Sequence, residues 1–403
     1  MTWLRNATLP DGRQCDVRLA DGAISAVVPS AGLDDGDTDL TGYVLLPSFV
    51  EPHAHLDKAL TASQIGNPTG DLLGAIRAMD AAADRFTKAD IARRADKALR
   101  VMLAHGTTAV RSHVNVGSTM GMRALEALAE VREAWAGTVD LQLVALVGNP
   151  LAGQAGANLR DALRNGADIA GGCPHLDPAP DRAVGICLDA AGEADKPIDL
   201  HTDETLDPAK LTLAVLAELV LQTGFAHGAT ASHCVSLAVQ PVAVQQRVAE
   251  LVQAAGVAVV ALPQTNLFLQ GRDRPVGTPR GLTAVHALRA AGALVAAGGD
   301  NLRDPFHPVG RGDPLEVAAL MVTAGHLSPA DAVTSVTAAP RAALRLPAVA
   351  VEAGRPADLV ALRGEDLVAA LGAADQDRLV WRAGRLVART TVTRILHVPP
   401  APD

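Results

Sequence analysis

The run Val44-Leu45-Leu46-Pro47-Ser48-Phe49-Val50 leads directly into Glu51-Pro52-His53-Ala54-His55-Leu56-Asp57-Lys58. An apolar strand therefore ends in two imidazoles. Residues i and i+2 of a strand point to the same side, so His53 and His55 can present two nitrogens to one cation. Paired imidazoles suit Zn or Fe(II). Three more apolar runs stop at chemistry-bearing side chains. Ile198-Asp199-Leu200 reaches His201, followed by Thr202-Asp203-Glu204, and Thr230-Ala231-Ser232 reaches His233. Ala293-Leu294-Val295-Ala296-Ala297-Gly298-Gly299 reaches Asp300-Asn301, its glycines letting the backbone pass closely before the acid.

Between residues 47 and 346, buried apolar runs alternate with Ala- and Leu-rich segments of helical period. This is how a parallel sheet with crossover helices reads. Eight strands are expected to end near His55, His113, Val147, Gly171, His201, His233, Pro263 and Asp300, with helices such as Lys88 to His105 and Met122 to Ala136 between them. The fold class is α/β, a (β/α)8 TIM-type barrel, with a doubly wound open sheet as the alternative. A barrel gathers its C-terminal strand ends at one mouth, so the His and Asp residues become neighbours there. Residues 1–46 are short, alternating and punctuated by Asp11-Gly12, Asp21-Gly22 and Asp35-Gly36, which read as hairpin turns. Residues 347–403 repeat the texture, with strands at Ala357 to Leu362, Arg378 to Arg382 and Arg385 to Val387, the last two joined at Ala383-Gly384. The two ends are expected to share a small β-sandwich, leaving 47–346 as a catalytic barrel.

With 403 residues, 49% of them hydrophobic and 20% charged, the chain can bury a large core without covalent staples. The net charge of -9, spread without a basic block, argues against nucleic acid as a partner. Cys15, Cys173, Cys187 and Cys234 form no CxxC pair, which suits a reducing cytosol. Met1 to Asn6 soon meets Pro10-Asp11-Gly12, so no secretory signal is expected. The longest apolar stretches, Val257 to Pro263 and Ala293 to Ala297, fall far short of a bilayer span. A cytoplasmic protein with no membrane partner is expected, and a homo-oligomer stays open.

Taken in order, PSFVEPHAHLDK (47–58), VRSHVNV (110–116), GGCPH (171–175), HTDE (201–204), SHC (232–234), LFLQGR (267–272) and GDNLRDPFHPVGRGD (299–313) resemble the cytosine deaminase branch of the amidohydrolase superfamily. The resemblance implies one divalent metal ion, Zn or Fe(II), held by His53, His55, His201 and Asp300. It further implies a metal-activated water as nucleophile, with Asp300 accepting its proton, His233 positioning it and Glu204 protonating the ring nitrogen or leaving group. Superfamily members with two metals carry a lysine at strand 4, and Asp161 to Leu176 has none, so a single metal is expected. The implied activity is hydrolytic deamination of a cyclic nitrogen heterocycle, a small-molecule substrate such as a pyrimidine, triazine, pterin or creatinine-like ring.

The chain departs from that branch where substrate is read. Gly148 and Asn149 stand where cytosine deaminases place a ring-reading glutamine, Asn301 replaces the second of paired aspartates, and Phe306-His307 replaces an aromatic pair. Cytosine is therefore not the expected substrate. Lys58, His113, His175, Gln270, Arg272 and Phe306 are further substrate-shell candidates, and Phe49, Phe268 and Phe306 are the phenylalanines that could stack on a flat ring. Hydrolysis of a cyclic or N-acyl amide is the competing enzyme reading. A non-catalytic barrel scaffold is the remote one, which the intact ligand set opposes.

Overall fold

The computed structural model describes residues 2–117 and 119–397, so the end of the expected terminal unit, 398–403, lies outside the described residues. Five strands come first, β1 (Thr2–Thr8), β2 (Gln14–Ala20), β3 (Ala23–Pro29), β4 (Thr38–Asp39) and β5 (Tyr43–Pro47). Eight follow that alternate with helices: β6 (Phe49–Ala54), β7 (Thr107–Asn115), β8 (Asp140–Val147), β9 (Ile169–Gly172), β10 (Ile198–Thr202), β11 (Ala229–His233), β12 (Ala258–Ala261) and β13 (Val295–Ala297). Three close the chain, β14 (Leu359–Arg363), β15 (Arg378–Arg382) and β16 (Arg385–Thr390).

Strands β6 to β13 pair in chain order, each parallel to the next. A parallel bridge between Ala54 and Asp300 brings the last strand back to the first. This is the TIM-type barrel, and the open-sheet alternative falls with that bridge. At the seam the buried Glu51 carboxylate accepts the N–H of Gly299 at 2.9 Å and that of His53 at 3.1 Å. A Cβ on Gly298 would stand 2.4 Å from Glu51 Oε1, which is why the approach to Asp300 is glycine. All positions of β6, β10 and β11 are buried.

Three strand ends differ from expectation, β7 running two residues past His113 to Asn115. Strand β12 stops at Ala261, and Pro263 opens the helix Pro263–Leu269, where its fixed φ and missing N–H cost nothing. Strand β13 stops at Ala297, and Asp300 follows in the left-handed region at φ 61°.

The chain ends share one mixed sheet in the order β16-β15-β14-β5-β1-β2-β3, with β4 beside β1. Alternation divides β5 between two cores: Val44 and Leu46 pack toward the barrel, and Leu45 joins Leu4, Val17 and Trp381. Ala383 and Gly384 have φ of 46° and 71°, the two positive values a tight hairpin turn needs. Asp35-Gly36 is not a hairpin: the chain there leads from β3 to β4, which runs parallel to β1. Among the described residues no helix is long and apolar enough to cross a membrane.

Candidate active site

His53 and His55 leave the end of β6, His201 lies in β10, His233 is the last residue of β11 and Asp300 follows β13. All five are buried. His201 Nε2 lies 3.2 Å from His53 Nε2 and 3.1 Å from His55 Nε2. Asp300 Oδ1 is 3.6 Å from His53 Nε2 and 3.3 Å from His55 Nε2. Ligand atoms about 2.1 Å from a tetrahedral zinc are roughly 3.4 Å from one another, so these separations fit a cation at their centre. Asp300 Oδ1 is buried with no hydrogen-bond partner, as an oxygen reserved for a cation would be. Burial holds the imidazoles of His53, His55 and His201 well below their usual pKa, which leaves them neutral and able to donate lone pairs.

The ring of His53 is fixed from behind. Ser232 Oγ lies 3.2 Å from Asp199 Oδ1 and 2.8 Å from His53 Nδ1. The carboxylate accepts the hydroxyl proton, so the hydroxyl oxygen accepts His53 Nδ1–H and Nε2 is left free. Arg111 Nη1 anchors Asp199 at 2.8 Å.

His233 Nδ1 lies 3.0 Å from Asn266 Oδ1 and donates to it, which frees Nε2 as an acceptor. That nitrogen stands 3.7 Å from Glu204 Oε2 and 3.9 Å from Asp300 Oδ2. Burial lowers the His233 pKa to about 3 and raises that of Glu204 to about 8, Lys58 opposing the second shift. Burial thus favours the protonated, acidic form of Glu204. Asp203, Glu204's neighbour, does not join it: its two oxygens accept the N–H groups of Thr212 and Leu213 at 2.8 and 2.9 Å, anchoring the next helix. Asp203, His233, Cys234 and Asp300 all have positive φ. That conformation costs a non-glycine residue about 1–2 kcal/mol, and such strain gathers where side chains must be aimed.

These groups open on a cavity of about 620 Å³. Of the expected residues it is lined by His55, Lys58, Gly148, Asn149, His175, His201, Glu204, His233, Asp300, Asn301 and Phe306. Lys58 faces inward, its ammonium 4.8 Å from the Phe306 ring centre, rather than pairing with Asp57, which accepts the N–H of Asn115. His175 Nδ1 donates to the His201 carbonyl at 3.0 Å, turning its unpartnered Nε2 into an acceptor.

His113 does not line the cavity but stacks on His53 at 3.9 Å between centres, wholly buried. Gln270 instead donates to the Glu204 carbonyl at 3.0 Å. Arg272 lies over Phe268, and Phe49 sits in the core. Sequence reading missed Asn115, Cys173, Met120, Gln154 and the helical wall Leu72, Ile76 and Met79. Strand period alone could have found Asn115, two positions along β7 from His113.

The amidohydrolase family profile matches residues 59–388, and the chain belongs to that family. It is an amidohydrolase, an enzyme of carbon–nitrogen bonds. Among its relatives is a pterin deaminase from Rhizobium rhizogenes, 36% identical over 94% of this chain and 88% of that protein. Among solved structures, the 5-methylcytosine deaminase of Klebsiella pneumoniae, liganded with phosphonocytosine, superposes with a TM-score of 0.89 at 30% identity, covering 98% of this chain and 100% of that one. N-isopropylammelide isopropylaminohydrolase from Burkholderia multivorans gives 0.81 at 28% identity over 96% and 98%.

Proposed function

We propose that the protein is a hydrolytic deaminase with one divalent metal ion, Zn or Fe(II), acting on an amino-substituted nitrogen heterocycle, with pterins as the leading class. The observation that carries this reading is the pairing of a cation-sized cluster, His53, His55, His201 and Asp300, with the buried carboxyl of Glu204 beside it, 3.7 Å from His233 Nε2. A cation there supplies a Lewis acid that brings the pKa of water toward neutrality.

The chain's own residues do the rest. Asp300 takes a proton from the attacking water, and His233 Nε2, between the two carboxyl groups, orients that water. Glu204 delivers a proton to the ring nitrogen as the carbon–oxygen bond forms. A further proton transfer lets the amine leave as ammonia, and the ring carries an oxo group in its place. The cavity has room for more than one six-membered ring, and the relative at 36% identity acts on a pterin by its name. Lys196 donates to the carbonyls of Leu163 and Ala167, away from the cluster, in keeping with a single metal. The four free cysteines accord with a cytoplasmic setting. Residues 47–346 serve as the catalytic unit in this reading, and the chain ends as its structural annex.

The test is ammonia release by metal-reconstituted protein over a panel of pterins, aminopyrimidines, aminotriazines and creatinine, with Asp300→Asn as control. Release from one class that disappears in the control is the expected result. Silence across the panel with metal bound would overturn deamination in favour of amide hydrolysis.

A further inference from the structure

The helix Leu72–Ala82 turns Leu72, Ile76 and Met79 toward the cavity, and Ala83 continues the row. The spacing i, i+4, i+7 is an apolar helix face, which ordinarily packs against protein. Here the three side chains are only half-buried. They cluster with Phe306, whose ring the Lys58 ammonium also approaches, so the row continues outward from the reactive centre. The helix is held in place: Asp71 caps it by accepting the Gly74 N–H at 2.7 Å, and the Asn67 amide ties its start to the carbonyls of Asp71 and Pro305.

Other parts of the cavity lining are amide-rich, with Asn115, Asn149, Gln154 and Asn158. Asn115 Oδ1 is buried without a partner, an acceptor awaiting a donor. An alkyl substituent would satisfy the helix face and leave the amide N–H groups of that lining unpaired, at a cost. A second flat heteroaromatic ring suits both, since its faces are apolar and its ring nitrogens can accept from the N–H groups of the amide-rich lining.

Resting on the pterin deaminase reading, we infer that Ile76 and Met79 pack on the ring remote from the reacting carbon and set the preference over single-ring analogues. The probes are pterin and isocytosine, which present the same 2-amino-4-oxo edge and differ by the second ring. Ile76→Ala and Met79→Ala should each lower kcat/KM for pterin about tenfold while changing that for isocytosine less than about twofold. Turnover of isocytosine serves as the check that each variant is folded and metal-loaded.

Equal losses on both substrates would overturn the inference and leave the deaminase reading standing. Pterin fluorescence titrated on Glu204→Gln protein separates the two ideas further. Wall-dependent binding of pterin to Glu204→Gln protein, with metal-loaded wild-type protein releasing no ammonia from pterin, sustains the two-ring site and sinks deamination. Binding of pterin no tighter than isocytosine sinks the two-ring site.

Discussion

The floor of the cavity and its outer wall are made of different material. The floor is strand ends: residues from β6, β10, β11 and the turn after β13, drawn together to within 3.1 to 3.9 Å by barrel register. The wall is helix and loop, Leu72 to Met79 on one side and Met120 and Gln154 elsewhere around the mouth. A floor position is fixed by neighbours on both sides in a sheet, whereas a wall position is fixed by the path of one connection. Changes to the floor should therefore abolish turnover of every substrate, and changes to the wall should reorder substrates.

Asp300→Asn is the harshest test of that contrast. Losing a proton acceptor should cost about 10²–10⁴-fold in kcat, and losing an anionic ligand should add to this. Residual turnover within tenfold of wild type would mean that Asp300 is not where the chemistry sits. Glu204→Gln should lower kcat by about 10²–10⁴-fold and remove an alkaline limb from the pH profile. The sign follows from burial: the carboxyl titrates at about 8 in the folded protein, so kcat holds below that pH and falls as the acid is lost above it. The same displacement makes the folded chain hold a proton that the unfolded chain releases, so stability declines as pH rises from 4.5 to about 8, and Glu204→Gln should be the more stable protein at the upper end.

Ser232→Ala touches the floor from behind. It breaks the path from Asp199 to His53 Nδ1 and should weaken metal affinity about 10–100-fold, read by chelator competition without reference to activity. Unchanged affinity would show that the strand alone orients His53. The mildest change is Met120→Ala on the wall, for which a KM shift of about tenfold or less at constant metal content is expected.

The floor was legible in the sequence because strand period and strand ends are written locally. HxH after the run Val44 to Val50, which the structure splits at Ser48 between β5 of the terminal sheet and β6 of the barrel, and a lone His or Asp closing three other apolar runs, needed only the assumption of a closed barrel to become neighbours. The wall was not legible. Leu72, Ile76 and Met79 carry the periodicity of an ordinary core-facing helix, and nothing in the spacing says that the space they face is open. His113 shows the opposite case: it sits in a family-like motif on a barrel strand, yet it lies outside the cavity lining, stacked on His53 with both ring nitrogens buried and without a hydrogen-bond partner. Asp35-Gly36 misled because a turn dipeptide marks a change of direction, not which strand the chain pairs with next.

The seam at Glu51 has a consequence beyond closing the sheet. His53 and His55 belong to the first stave of the barrel and Asp300 follows the last, with the Glu51 carboxylate buttoning Gly299 to His53 between them. Roughly 250 residues separate those two staves, so their meeting closes one of the long loops of the chain, exceeded by the pairing of β5 with β14 in the terminal sheet. Folding thus acts as an interlock: a partly made copy holds imidazoles and carboxylates but no centre that could activate water, and the hydrolytic machine is switched on by the same event that completes the hoop.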